Sequence, residues 1–245
     1  MLLEPQLAAI LVTGLIAAGI VKGATGLGYA SCALPFLVYA VGLKTAISLV
    51  LVPAMATNIA VALGNGHLRE TWRDFAVLYV AMLPGIAAGL ALLWHIDGRR
   101  AVGILGSVVI GYSLLALLRP GWRIGSRAAS LLMIPVGLLN GFLTGLTGSQ
   151  VLPLVPYVLA LDLSPARSVQ AINLGVTLAS ATMLIGVLAT GLVDGHIIAL
   201  SVLAIVPALL GAEIGRRLRA RIPAERVRSA ILIVLLVSGI GMLMR

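Results

Sequence analysis

The chain has 245 residues, of which 60% are hydrophobic and only 10% are charged. An average soluble domain carries about a quarter charged residues, so this composition excludes such a domain and makes lipid the solvent for most of the surface. The formal net charge of +9 comes mainly from arginines in short connections between apolar runs. That placement is typical of membrane topology signals and argues against a nucleic-acid partner. The sequence therefore predicts an all-α polytopic membrane protein.

Apolar runs between charged or glycine/proline breaks predict ten helical segments. A helix needs about 20 residues to cross a hydrocarbon core about 30 Å thick, so the second and seventh segments are too short for ordinary spans. Each follows a glycine-rich break and carries proline, and whether it crosses or re-enters is left open. Such paired short segments indicate a transporter's binding site. The segments lie near residues 5–22, 28–41, 45–64, 75–94, 101–118, 128–144, 150–161, 167–190, 195–215 and 227–244.

The two halves of the chain correspond in sequence. The stretch 14–26 aligns with 137–148 at an offset of about 122 residues, as expected for an internal repeat. In each half a proline-bearing segment, a polar turn and a long segment with an asparagine follow, and these asparagines are Asn58 and Asn173. Later, the stretch 84–89 matches 207–211. This order predicts two repeats, 1–122 and 123–245, in one membrane domain.

Arginine placement predicts the orientation of the repeats, because cytoplasmic loops retain excess Lys and Arg. The strongest groups lie at 119–127 and 216–228. Placing both inside leaves both termini outside. Each half then crosses an odd number of times, so the second half is inverted relative to the first, as in many secondary transporters. We expect a multi-pass protein of the cell inner membrane.

The two glycine-rich breaks predict one anion site. Broken backbone at membrane depth must lie inside protein or along a wet cavity. A half-helix that begins after such a break directs its N–H groups and its positive dipole end into that cavity. Hydroxyls, amides and one intramembrane cation beside the breaks complete the candidate substrate-binding set. The set comprises Lys22, Gly23, Thr25, Gly26, Gly28, Tyr29, Asn58, Gly145, Thr147, Gly148, Ser149, Gln150 and Asn173.

Each of these candidates also has a structural interpretation. Lys22 could snorkel from a helix end to the interface, and the glycines could allow close helix packing. Asn58, Asn173 and Gln170 could join helices by hydrogen bonds. Glu213 is expected to form an interfacial ion pair with the arginines that follow it.

The sequence predicts no enzyme, cofactor or metal. His67, His95 and His196 fall at predicted loop edges without a carboxylate cluster, and the single Cys32 excludes a cysteine-rich site. Neither a Walker loop nor a nucleophile elbow occurs.

The two motifs read Gly19-Ile-Val-Lys-Gly23-Ala-Thr-Gly26-Leu-Gly28 and Gly141-Phe-Leu-Thr-Gly145-Leu-Thr-Gly148-Ser-Gln150. With the short proline-bearing segments after them, they resemble those of the TauE/SafE family of sulfite exporters over essentially the whole chain. The resemblance implies transport of small sulfur-containing or organic anions. Tyr29 and the pair Ser149-Gln150 replace further glycines of the family pattern, at positions where a substrate would be read.

Together these observations predict a secondary transporter, in the export direction, of a small anion such as sulfite or an organosulfonate, working by alternating access. A proton as the coupled ion and a homo-oligomer are left open. The alternatives are an anion channel and a non-catalytic membrane accessory subunit.

Overall fold

The computed structural model describes residues 5–26, 28–64, 68–118, 123–189, 195–219 and 224–244, and in these ranges the chain forms helices and turns without a strand. Within these ranges, six helical stretches are long and apolar enough to cross a membrane, and two shorter apolar helices precede them. The predicted all-α polytopic membrane fold is confirmed. The helices are α1 (Pro5–Thr25), α2 (Tyr29–Val41), α3 (Leu43–Gly64), α4 (Leu68–His95), α5 (Gly98–Leu118), α6 (Ser126–Thr147), α7 (Leu154–Leu159), α8 (Pro165–Ala189), α9 (Gly195–Leu203), α10 (Ile205–Arg219) and α11 (Ala224–Leu243).

One predicted segment, 195–215, is divided into α9 and α10 by a turn at Ala204. Pro207 has no N–H to donate to the carbonyl of Leu203, which interrupts the helical ladder at that point. The N–H of Ala204 still donates to Leu200 O at 2.9 Å, and that of Ala208 to Ala204 O at 3.2 Å. The helical hydrogen-bond ladder is therefore interrupted at the proline but continues past it.

The first short segment folds back on the helix before it. Gly14 in α1 packs against Phe36 in α2, which makes the two connected helices antiparallel. The 13 residues of α2 extend over about 20 Å, less than the hydrocarbon core.

The second short segment also turns back, with less helix. Only Leu154–Leu159 is helical, because Pro153 disfavours helical geometry at the residue before it. Asn140 Nδ2 donates to Leu152 O at 3.0 Å, and the Tyr157 hydroxyl to Ala129 O at 2.8 Å. Residues 149–159 thus run back along α6.

The main helix pairs each join a helix of the first half to a helix of the second half. The most extensive contacts join α4 with α6, α1 with α10, α5 with α11 and α3 with α8. Glycines lie at three of these crossings: a methyl group on Gly85 would be 3.1 Å from Gly141 Cα, one on Gly19 would be 3.0 Å from Gly211 Cα, and one on Gly106 would be 2.9 Å from Gly239 O. In a repeat, these contacts would pair Gly85 with Gly211, whereas aligning Pro84 with Pro207 in the stretches 84–89 and 207–211 pairs Gly89 with Gly211. The prolines take no part in these close contacts, so they do not mark the crossing.

One face of the molecule collects arginines, and we call it the arginine-rich face. It is formed by the starts of α4, α6 and α8 and the end of α10. Arg123 lies 3.4 Å from Asp162, and Arg167 pairs with Asp74. Arg216 lines a cavity together with the first residues of α8. Other arginines of the two groups, and the boundary between residues 122 and 123, fall partly outside the described residues.

Candidate functional site

Three predicted site residues meet at one point, which we call the lysine cluster. Lys22 lies in the last turn of α1, and its side chain is only 2% exposed. Its ammonium donates hydrogen bonds to Oδ1 of Asn58 in α3 and to Oδ1 of Asn173 in α8. The lysine is therefore turned into the protein and held by both halves of the chain.

The orientation of the Asn173 amide is fixed by its other hydrogen bonds. Its Nδ2 donates to Gly26 O at 3.0 Å and to Val169 O at 2.7 Å. Since the amide nitrogen is committed to two carbonyls, the amide oxygen faces Lys22. Gly26 ends α1 with φ of 79°, a conformation suited to glycine. Asn173 thus joins the first glycine-rich break to α8.

The lysine cluster forms the wall of a cavity of about 560 Å³, which we call the lysine cavity. An ammonium has three N–H donors, and two of them are used by the asparagines. Within the described part of the chain, no ion pair includes Lys22. The cluster therefore places a buried lysine amine on the wall of a cavity. Its lining includes Lys22, Gly26, Thr57, Val169, Glu213 and Arg216.

Glu213 does not compensate Lys22, although it lines the same cavity. Its carboxylate accepts from Arg216 at 2.7 and 2.6 Å and from Arg217 at 2.8 Å. The predicted ion pair with these arginines is confirmed. Because Arg216 and Arg217 share this one carboxylate, the group of three charges beside the cavity, which we call its mouth, is net positive, although Arg217 does not itself line the cavity.

A second group of candidates forms a neutral polar cluster around the break at Gly148, and we call it the hydroxyl cluster. Gln150 Nε2 donates to the Ser180 hydroxyl at 2.9 Å, and the Ser149 N–H donates to Thr147 Oγ1 at 3.2 Å. Ser149 Oγ lies 3.4 Å from Ser31 Oγ of α2. All of these side chains are buried. The hydroxyl cluster therefore includes residues of both halves.

Backbone groups at the second break form hydrogen bonds with nearby residues of α6. Asn140 Nδ2 donates to Gln150 O at 3.3 Å, and Thr144 Oγ1 donates to Ser149 O at 3.3 Å. The N–H of Gly148 donates to Thr144 O at 2.8 Å. The expectation of a half-helix that begins directly at this break is wrong, because α7 starts only at Leu154. The two breaks are thus chemically unequal.

The remaining candidates occupy other positions, although Gly23 also lines the lysine cavity. Gly23 in α1 faces the backbone of α10, and Gly145 in α6 faces that of α4, so both occupy close helix crossings. Thr25 and Gly28 line a second cavity of about 470 Å³ beside Ser31, which we call the α2 cavity. Tyr29 is 1% exposed, and its hydroxyl has no hydrogen-bond partner within the described residues.

The sequence did not identify Ser180 as a site residue, although applying one constant offset between the two halves would have identified it. The helices α3 and α8 begin at residues 43 and 165, which differ by 122. The same offset takes Asn58 to Ser180, and it takes Leu51 to Asn173. The two asparagines therefore do not occupy equivalent positions in α3 and α8, although both contact Lys22. Val169 and Thr57, both on the cavity wall, carried no signal in the sequence.

Metal-ligating residues are dispersed in the described ranges. No three His, Cys, Asp or Glu side chains there lie close enough together to hold a metal ion. His67 falls outside those ranges.

The family model of the sulfite exporter TauE/SafE matches residues 10–242, nearly the whole chain. The chain belongs to the TauE/SafE sulfite exporter family. TauE/SafE proteins are membrane transporters, and the helices described above make this member a multi-pass membrane protein. Searches of curated proteins and of solved structures returned no match.

Proposed function

We propose that this TauE/SafE protein is a secondary transporter that exports a small oxyanion, sulfite or a short organosulfonate, by alternating access. The observation that carries the proposal is the lysine cluster. An ammonium that is 2% exposed lies on the wall of a cavity and is bonded to two neutral amides.

An anion is the partner that this cluster lacks. Taking an ion out of water costs several kcal/mol, and a hydrogen-bonded counter-charge offsets that cost. Asn58 and Asn173 supply acceptors but no charge. An oxyanion in the lysine cavity would accept the third N–H of Lys22 and balance its charge. Buried ionisable groups in membrane segments mark substrate pathways for this reason.

Alternating access is supported by the way the helices pair. In the proposed repeat, α1 corresponds to α6 and α4 corresponds to α10. The pair α4–α6 therefore has the pair α10–α1 as its equivalent, while the α3–α8 and α5–α11 pairs are each their own equivalent. A duplicated chain with inverted halves would produce this pattern. Lys22 lies where α1 of the first half meets α8 of the second, which is the kind of interface that such transporters use for binding.

Export is supported by the charge of the arginine-rich face. Lys and Arg are retained on the cytoplasmic side of membrane proteins, which supports a cytoplasmic position for this face in an inner membrane. The lysine cavity opens beside Arg216 on the same face. A cytoplasmic anion would be attracted to this positive mouth before it reached Lys22.

The test is flux of labelled sulfite and of methanesulfonate in proteoliposomes. Lys22→Gln keeps hydrogen-bonding capacity and removes the charge, and Lys44→Gln removes the other lysine, which is exposed. We expect saturable, gradient-coupled flux that falls by about a hundredfold in Lys22→Gln, since charge pairing at an effective dielectric of 20 contributes a few kcal/mol.

Lys44→Gln should retain its rate within about twofold, as is usual for a surface substitution. Equal flux in the Lys22→Gln variant and the unmodified protein would refute the role of the lysine cluster. Steady, non-saturable conductance would identify a channel.

A further inference from the structure

The described cavities are unequally distributed between the two faces of the protein. In the α2 cavity, Ser168, Val169 and Ile172 of α8 contribute to the wall. The helix starts of α8 and α3 differ by 122 residues, so the counterparts of these three residues in α3 are Ala46, Ile47 and Val50. These are exposed by 0%, 1% and 0%, respectively, against 6% for Ser168 and 2% for Ile172, and none of the three lines a described cavity. The same positions thus line a cavity in one half and line none of the described cavities in the other.

In the packed half, aliphatic side chains cover the glycine of the second break. Gly148 has φ of 73°, and a methyl group added there would lie 2.7 Å from Ile47 Cγ1 and 3.4 Å from Leu34 Cδ1. Ile47 can occupy this position because Gly148 has no side chain.

The first break repeats this arrangement with a looser contact. Its glycine, Gly26, has φ of 79°, and a methyl group there would lie 3.5 Å from Val169 Cγ1. Val169 lies on the wall of both the lysine cavity and the α2 cavity. At each break, therefore, an aliphatic side chain packs against a positive-φ glycine. The contact is tight at Gly148, whereas the side chain at Gly26 also borders two cavities.

We propose that Ile47 with Leu34 on Gly148 is the closed outer gate of the transport path, and that Val169 on Gly26 is the inner gate, open here to the arginine-rich face. This inference rests on the proposed alternating access. In the opposite state Ile47 leaves Gly148, and the cavities beside Val169 close. Lys22 and its asparagines lie next to the inner gate through the Asn173 bonds to Gly26 and Val169. An anion on Lys22 is thus bound beside the element that moves.

Cysteine labelling tests the gates without any substrate. In a Cys32→Ala background, Val169→Cys reports the inner side and Val50→Cys reports the outer side. A membrane-impermeant maleimide is added separately to each face of sealed, oriented vesicles. We expect Val169→Cys to react from the arginine-rich face at least about tenfold faster than Val50→Cys reacts from the opposite face, in line with a populated inward-open state. Arg123→Cys and Lys44→Cys serve as exposed references for the two faces.

The equilibrium is then shifted by one methyl group. Gly148→Ala introduces a clash with Ile47 and should favour the outward-open state, so Val50→Cys labelling rises by about tenfold and Val169→Cys labelling falls. Gly26→Ala is the matched control, because it imposes the same positive-φ strain but only an ordinary contact with Val169. Unchanged Val50→Cys labelling in Gly148→Ala, or an equal rise in Gly26→Ala, would overturn the gate.

A second variant keeps the test decisive if Gly148→Ala does not fold. Ile47→Ala removes the seal without a clash and should also increase Val50→Cys labelling, while failure to do so counts against the gate. Anion flux is measured on the same vesicles. Absent flux with the expected labelling contradicts the proposed function alone, and normal flux without the labelling changes contradicts the gate alone.

Discussion

Replacing Asn58 with aspartate would give Lys22 an internal counter-charge, and it offers the sharpest test of the anion site. The side chain keeps its shape, and its Oδ1 already accepts from the Lys22 ammonium. Asn58 is 2% exposed, so the new carboxylate would be buried against the lysine. A bound oxyanion would then have to compete with a permanent partner of the same charge.

The magnitude follows from the charges involved. Two unit charges 4 Å apart attract by about 4 kcal/mol at an effective dielectric of 20, and each 1.4 kcal/mol is about a tenfold change in affinity. We therefore expect Asn58→Asp to weaken anion binding by two to three orders of magnitude, on the order of 3 to 4 kcal/mol. The thermal unfolding temperature should change little, since a buried ion pair gains about what its desolvation costs.

The measurement is titration of the solubilised protein with sulfite and with methanesulfonate, followed by initial rates in proteoliposomes. Asn58→Ser is the control, because it removes the acceptor without adding charge and should weaken binding by only about 1 kcal/mol. If both variants bind the anions equally well, the charge of Lys22 plays no part in binding and the reasoning fails.

Three further outcomes are expected. Gly145→Ala should lower the unfolding temperature, since its methyl would collide with the backbone of α4, by an overpacking cost of about 1–3 kcal/mol; Gly103→Ala, with open space around it, should be neutral or slightly stabilising by thermal unfolding. Gln150→Leu should reduce anion flux in vesicles while membrane insertion is retained, because it removes the hydrogen bond to Ser180; undiminished flux would exclude Gln150 from the path. Glu213→Gln should lower the KM for the anion at low ionic strength, because it unmasks the arginines at the mouth of the cavity; the effect should vanish at high salt, and a KM that is insensitive to salt would count against steering.

The charge pattern and the helices were readable from the sequence because both depend on local composition. Apolar runs of spanning length predicted the membrane class, and the arginine groups predicted which helix ends share a face. The two glycine-rich motifs marked the helix breaks to within a few residues, since a positive-φ glycine such as Gly26 or Gly148 is a property of the local chain. Lys22 and the two asparagines were recognised as candidates because polar groups in apolar runs need partners.

The tertiary structure decided which candidates meet. Gly23 and Gly26 belong to one motif, yet Gly23 faces α10 at a helix crossing and Gly26 accepts the Asn173 amide. No local pattern separates them, because the distinction depends on which distant helix packs on each face of α1. The position of Lys22 between Asn58 and Asn173 depends on the packing of α3 against α8. The sequence does not reveal it, because the two asparagines lie at different distances from the starts of these helices. The unequal closing of the two halves likewise depends on side-chain packing between elements, which the near-symmetry of the sequence conceals.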